Sequence, residues 1–253
     1  MNPDQTNMVL MDQVTRRFDS FIAVDQLQFS MRPGELVGLL GPNGAGKTTA
    51  VKMLMGMLRP SSGSVQIFGK DAFQERAIIQ EQVGYLPDEP SFQPHLRGIE
   101  LLEFVARVRG LNKEVLDAHL DSVGKALGLY EELGEFAVNL SKGNRKKLSF
   151  LLATIHRPRL LIMDEPTNGL DPVVTRAFLG TVEDLVSSGS SVLYSTHLLD
   201  QAQKICHRCL FMDQGRIVEE GPIDELRSRH SNQSLEDIFF QVTGQTITPT
   251  PEV

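Results

Sequence analysis

The residues that can do chemistry are concentrated first in Gly41-Pro42-Asn43-Gly44-Ala45-Gly46-Lys47-Thr48-Thr49, which has the form G-x-x-x-x-G-K-[ST]. An apolar run, Leu36-Val37-Gly38-Leu39-Leu40, precedes it and reads as a buried strand; Thr49 to Met55 follows and reads as a helix. A phosphate-binding loop needs that context. Glycines let successive N–H groups turn inward onto phosphate oxygens, and the helix N-terminus adds partial positive charge. Lys47 is placed to reach β- and γ-phosphates and the Thr48 hydroxyl to ligate Mg²⁺. By chance the bare pattern arises in roughly 1% of chains this long, and the strand-loop-helix context lowers that further. A nucleoside triphosphate site is therefore expected.

Three further constellations extend it. Leu160-Leu161-Ile162-Met163-Asp164-Glu165 reads as a buried strand ending in two carboxylates, with Asp164 placed for Mg²⁺ through water and Glu165 beside an attacking water. Ser191 to Ser195 reads as another strand, with His197 after its end, where it can support a terminal phosphate. Ser141 reads as the N-cap of a helix opening Lys142-Gly143-Asn144-Arg145-Lys146-Lys147. Cations at a helix N-terminus oppose its dipole, so this run is either a solvated face or a place where an anion arrives. Phe18 is either a core residue or an aromatic that stacks on a base. Cys206-His207-Arg208-Cys209 lacks a second ligand pair and does not sit at a helix start after a strand, so it reads as structural thiols.

The elements that must hold these residues follow from pattern. The chain has 253 residues, 41% of them hydrophobic, enough for one sizeable core with an inserted subdomain. Met8–Phe18 and 21–29 read as an antiparallel edge ahead of the loop. Short strands are expected at 64–68 and 83–86. From Leu96 to Leu129 the pattern turns helical, with Leu101, Leu102, Val105 and Val108 on one face and Leu116, Leu120, Val123 and Leu127 on another. A helix is expected from Pro172 to about Ser188, a hairpin centred on Asp213-Gln214-Gly215, and helices after Pro222 and from Leu235 to Val242. Residues 244–253 read as a loose tail. No apolar run approaches the ~18 residues that span a bilayer, the start does not read as a signal peptide, and the cysteine usage suits a reducing cytosol. A net charge of −7 argues against non-specific nucleic-acid binding.

In this order, the motifs of residues 8–221 resemble the nucleotide-binding subunit of an ATP-binding-cassette (ABC) transporter. Gly41–Thr48 matches the Walker A loop, Leu140-Ser141-Lys142-Gly143-Asn144 the signature usually written LSGGQ, and Leu160–Asp164 Walker B with Glu165 at the catalytic glutamate. Asn168-Gly169-Leu170-Asp171 matches the D-loop, His197 the switch histidine and Phe18 the adenine-stacking aromatic. The resemblance implies an α/β fold: a P-loop NTPase with a RecA-like core, an antiparallel β subdomain and an inserted α-helical subdomain at about 90–157, the ATPase domain as a whole covering 1–243. It implies ATP and Mg²⁺ as ligands and a head-to-tail dimer, most simply of two identical chains. In that dimer Ser141 and Gly143 of one copy meet the γ-phosphate bound by the other, with Asp171 nearby. A separate polytopic permease, with this subunit peripheral on the cytoplasmic face of the membrane, completes the assembly, and Phe92, Leu96 and Phe104 are expected at the permease contact or in the core.

Two departures from the family pattern stand out. Lys142 and Asn144 replace the commoner Gly and Gln of the signature, and Asp88, in Tyr85-Leu86-Pro87-Asp88-Glu89-Pro90, replaces the Q-loop Gln. Asp88 can ligate Mg²⁺ but is shorter and charged. Both resemble bacterial subunits that pair with separate exporter-type permeases. The alternative, a soluble ABC ATPase acting on nucleic acid or ribosomes, would typically carry two cassettes or a long coiled-coil insertion, and neither is present.

Overall fold

The computed structural model describes residues 7–244; the tail from 245 onward lies outside them. In chain order the elements are β1 (Val9–Phe18), β2 (Phe21–Met31), β3 (Leu36–Leu40), α1 (Lys47–Leu54), β4 (Ser62–Ile67), β5 (Lys70–Asp71), α2 (Arg76–Gln80), β6 (Val83–Leu86), α3 (Gly98–Val108), α4 (Lys113–His119), α5 (Lys142–Thr154), β7 (Leu160–Asp164), α6 (Pro172–Ser187), β8 (Ser191–Thr196), α7 (Leu199–Ile205), β9 (Arg208–Asp213), β10 (Arg216–Pro222), α8 (Ile223–Arg229) and α9 (Leu235–Thr243).

Two sheets result. The first is antiparallel in the order β2-β1-β4-β5, and the second runs β10-β9-β3-β8-β7-β6, parallel except for β10. Every residue of β3, β7 and β8 is buried, which explains why β3 and Leu160–Met163 of β7 read as continuous apolar runs rather than alternating ones. Register then does the positioning. Leu40 lies opposite Thr196 and Asp164 opposite Ser195, so the chain leaves β3, β7 and β8 along one edge. Gly41, Glu165 and His197 emerge there together, at the carboxyl ends of parallel strands, where ligands of open α/β sheets bind.

Three apolar clusters hold the frame. One packs the antiparallel sheet and α1 on the main sheet through Met11, Leu27, Leu39, Met53 and Ile162. A second covers the opposite face through Leu36, Phe150, Phe178, Tyr194, Phe211 and Phe239. The Phe150 and Phe178 rings lie 4.4 Å apart, tying α5 to α6; a fully buried Phe is worth about 1.5–3 kcal/mol over an exposed one. The third joins α3, α4 and α5 through Leu102, Leu116, Leu129, Leu148 and Leu151.

The helical stretch expected at 96–129 is divided. Gly110 adopts φ +67° and ends the α3 segment, Asn112 caps α4 by accepting from the Val115 N–H, and a wide turn over Leu120–Gly124 follows. Val108, expected on the buried face, is 69% exposed, because α3 buries Leu101, Leu102 and Ala106 instead. Phe104 is also exposed, whereas Phe92 and Leu96 pack against the third cluster. Cys206 and Cys209 are free, buried thiols lying against Gly38. Burial pushes the Cys206 thiol well up. Among the described residues no helix is long and apolar enough to cross a membrane.

Candidate nucleotide-hydrolysis site

The loop after β3 has its conformation dictated at Gly46, the residue capping α1. Its φ is +104°, and a Cβ there would lie 2.4 Å from the Ala23 carbonyl oxygen on β2. No other residue fits. Lys47 is buried and curls over the loop, its ammonium donating to the Gly41 carbonyl at 2.7 Å and the Pro42 carbonyl at 3.1 Å. The loop, Phe21, Ala23, Asp88 and Glu165 enclose a depression of about 270 Å³. A larger hollow of about 650 Å³ lies between β2 and β10, but none of the expected chemistry-bearing residues lines it. Chemistry rather than size marks the site.

Asp164 is buried at the end of β7. Its Oδ2 accepts from the Thr48 hydroxyl at 2.7 Å and its Oδ1 from the Ser195 hydroxyl at 2.9 Å. Burial raises its pKa, the two hydroxyls oppose that, and the Glu165 and Asp88 carboxylates add to it. The hydroxyl–carboxylate pair fits a divalent cation. Among the described residues no three His, Cys, Asp or Glu side chains gather as a metal cage. One hydroxyl and one or two carboxylates, completed by substrate phosphates and water, is the donor set of Mg²⁺ rather than of zinc or calcium.

Glu165 is the most constrained residue of the site. Its Oε2 accepts from the Thr196 hydroxyl at 3.1 Å and His197 Nδ1 at 2.8 Å. A carboxylate only accepts, so Nδ1 carries the proton and Nε2 is directed elsewhere. Oε1 is different: it is buried, receives no hydrogen bond and lies 3.3 Å from the Lys47 ammonium. One oxygen is thus held by hydrogen-bond donors, while the other makes only the ion pair with Lys47. The backbone of Glu165 is unusual too, with φ +46°.

Asp88 lines the depression as expected of a residue near the phosphates, and its Oδ1 lies 3.1 Å from Lys146 Nζ. Lys146 belongs to the basic run after Ser141, yet it is wholly buried and also donates to the Glu165 carbonyl oxygen. Burial pushes its pKa down and Asp88 opposes this. Neither a solvated face nor an arriving anion describes Lys146, because its counter-ion is inside the chain. The signal was available: Lys146 falls four residues before Phe150 and seven before Ala153, both buried, so helical spacing puts it on the inner stripe.

Other expected residues lie elsewhere. Ser141 caps α5, its hydroxyl accepting from the Asn144 N–H at 3.1 Å, and Gly143 packs near Leu170; neither lines the depression. Asp171 Oδ1 accepts from the Val173 and Val174 N–H groups, both at 2.9 Å, as the cap of α6. Phe18 pairs in register with Phe21 at the end of the first hairpin and carries the Arg16 guanidinium 4.5 Å from its ring centroid. Phe21, which sequence reasoning missed, is the aromatic lining the depression, exposed because the hairpin end projects over the loop. A missed network also steadies the segment after Glu165: Thr167 donates to Gln201 at 2.6 Å, and the Tyr194 hydroxyl lies 3.1 Å from both.

The family description "ABC transporter" matches residues 24–168. The chain is 36% identical over 221 residues to the uncharacterized ABC transporter ATP-binding protein YdbJ of Bacillus subtilis, covering 87% of this chain and 69% of the relative. It is 31% identical to the bacitracin transport ATP-binding protein BcrA of Bacillus licheniformis, covering 92% and 74%. It is likewise 31% identical to the Nod factor export ATP-binding protein I of Cupriavidus metallidurans, covering 98% and 82%. A solved structure of the ATP-binding subunit of an ABC transporter superposes with a TM-score of 0.87 at 27% identity, covering 93% of this chain and 99% of that one. The strand-end carboxylates, the loop lysine and the cap of α5 thus sit in a frame shared with those proteins, and the chain belongs to the ABC transporter family as one of its ATP-binding, ATP-hydrolysing subunits.

Proposed function

We propose that this chain binds ATP in the depression beside Lys47, pairs head to tail with a second copy, and drives a separate polytopic permease from the cytoplasmic face of the membrane. Adenine stacks on an aromatic at the hairpin end: Phe21 lines the depression, whereas Phe18, the residue expected from the family pattern, pairs with it in register and carries Arg16 over its ring. The N–H groups of the loop from Asn43 to Thr49, Ala45 excepted because it donates to the Pro42 carbonyl, and the Lys47 ammonium hold the phosphates. Thr48 and Asp164, with Asp88 as a third donor, would hold Mg²⁺. When bound, the metal neutralises charge on the β- and γ-phosphate oxygens.

The observation that carries the reading is the asymmetry of the Glu165 carboxylate. His197 and Thr196 fix Oε2, while Oε1 is buried without a donor. A water between Oε1 and the γ-phosphate would give its proton to that oxygen as it attacks. His197 keeps the carboxylate aimed and faces the terminal phosphate with its other nitrogen.

Ser141 and Gly143 lie outside the depression of their own chain, which fits a role toward the nucleotide of a second copy. The first turn of α5 then presents its N–H groups to that γ-phosphate, and Asp171 lies at the same interface. Of Phe92, Leu96 and Phe104, only Phe104 is exposed and so available to a permease. The names of relatives that specify export support an exporter.

Glu165→Gln tests the hydrolytic assignment. The variant is expected to bind ATP, to lose turnover at least a hundredfold, and to run as a dimer in ATP but as a monomer in ADP by light scattering. Wild-type turnover in this variant would refute the role of Glu165.

A further inference from the structure

Lys146 has no part in the reading above, yet its environment is the least expected in the molecule. Lysine is almost never fully buried unless paired, and Lys146 is fully buried within the second turn of α5. Its ammonium has two partners from different segments. One is Asp88 Oδ1, 3.1 Å away on the loop after β6; the other is the carbonyl oxygen of Glu165, the first residue past β7.

The second partner is a strained peptide. Glu165 adopts φ +46° although Pro166 follows it, and the residue before a proline favours extended backbone. Such a conformation persists only where its surroundings over-determine it. The Glu165 N–H donates to the Ser195 carbonyl at 2.8 Å, and its carbonyl accepts from Lys146 and, at 3.3 Å, from the Asn168 N–H. Among the described residues, Lys146 is the only donor to that carbonyl from a different element of the fold. That peptide helps aim the carboxylate whose Oε1 faces Lys47, so a small rotation there redirects Oε1 away from the loop.

We infer that Lys146 is a positioning residue of the hydrolytic site: one buried ammonium, carried by the helix that begins at Ser141, clamps both the Asp88 loop and the Glu165 backbone. The inference rests on Glu165 being the group that receives the proton of the attacking water. It adds that the aim of Glu165 is tied to the position of α5, so a displaced α5 releases Asp88 and the carboxylate together. The phosphate contacts of the loop after β3 lie outside this clamp, and Asp88 bears on ATP affinity only through the metal, so ATP affinity measured without Mg²⁺ does not depend on Lys146.

The test uses the full chain and three measurements: turnover per ATP-binding site, ATP affinity and melting temperature. Lys146→Gln keeps a neutral donor at shorter reach and is expected to lose turnover about 5-fold. Lys146→Met, with no donor, is expected to lose about 30-fold, within the range that misplacement of a catalytic group produces. ATP affinity measured without Mg²⁺ stays within threefold in both. Because Lys146→Met strands the Asp88 carboxylate, Asp88→Asn/Lys146→Met is compared with Asp88→Asn alone. The double variant is expected to recover the melting temperature but to remain about 30-fold slower per site. Turnover per site equal to that of Asp88→Asn alone would overturn the inference and reduce Lys146 to a counter-ion. If Lys146→Met does not fold, Lys146→Gln decides, and unchanged turnover per site there overturns it as well. Full turnover in Glu165→Gln would instead refute the underlying role of Glu165, an outcome distinct from any result at Lys146.

Discussion

Replacing Gly46 and Gly44 by alanine, one at a time, separates what the phosphate loop owes to backbone conformation from what it owes to close approach. Both glycines have positive φ, +104° and +84°. Alanine in left-handed backbone costs about 1–2 kcal/mol at either site. They differ in what a methyl group would meet. At Gly44 there is nothing within 4 Å; at Gly46 the Ala23 carbonyl oxygen lies 2.4 Å away and Met212 Cε 2.8 Å away. The methionine can swing aside, but the carbonyl belongs to β2 and cannot. Overpacking of that kind adds about 1–3 kcal/mol. Gly44→Ala is thus expected to cost about 1–2 kcal/mol and Gly46→Ala about 2–5 kcal/mol. At about 2–4 °C per kcal/mol for a chain near this size, Gly46→Ala should melt roughly 4–20 °C below the parent. Ala23 lines the nucleotide depression and Gly46 caps the helix carrying Lys47 and Thr48. The displacement should therefore also weaken ATP binding about tenfold or more, a loss of about 1.4 kcal/mol. Urea unfolding and titration of a fluorescent ATP analogue read the two effects. Equal destabilisation by the two substitutions would refute the argument, because it would mean that the Ala23 contact does not constrain the loop.

Stability should also fall with pH on account of two histidines in and beside the helical layer. Burial, opposed by a Leu151 carbonyl bond and aided by Arg157, lowers His119 to about 4, and burial followed by Arg109 lowers His156 to about 4. Both stay neutral in the fold while the unfolded chain takes up protons below about 6.5. The unfolded state then binds more protons, so stability is full above that pH and declines as pH falls toward 4, by at most about 3 kcal/mol per histidine. Urea unfolding at pH 7.5, 6 and 5 checks this, and a flat profile across that range contradicts it. Asp171→Ala removes the oxygen that receives the Val173 and Val174 N–H groups and should destabilise the fold by about 1 kcal/mol in urea unfolding.

Much of this architecture was legible because it is local. The loop from Gly41 to Thr49, the strand before Asp164 and the cap at Ser141 each carry their signal within a few residues. The buried strands β3 and β7 announce themselves as apolar runs, since covered sheets have no polar face. Other features depend on what meets across the fold. Lys146 reads as a surface residue by type, and only its spacing relative to Phe150 places it inside. Asp88 shows its partner only once the loop after β6 lies against α5. The division of the helical layer at Gly110 was visible as a glycine but not as a left-handed turn, and Val108 is exposed because α3 turns Ala106 inward. Phe21 was overlooked for the opposite reason: an aromatic at a hairpin end reads as a strand residue until the loop it overhangs is in place.

The role of an ATP-driven subunit acting on a membrane partner is tested most directly by capturing tagged Glu165→Gln protein from detergent-solubilised membranes of its own cells, in ATP and in ADP. The expected result is a polytopic membrane protein recovered in stoichiometric amount together with an ATP-bound dimer of this chain. Recovery from the cytosol alone, with ribosomes or nucleic-acid-binding proteins and no membrane protein, would contradict it.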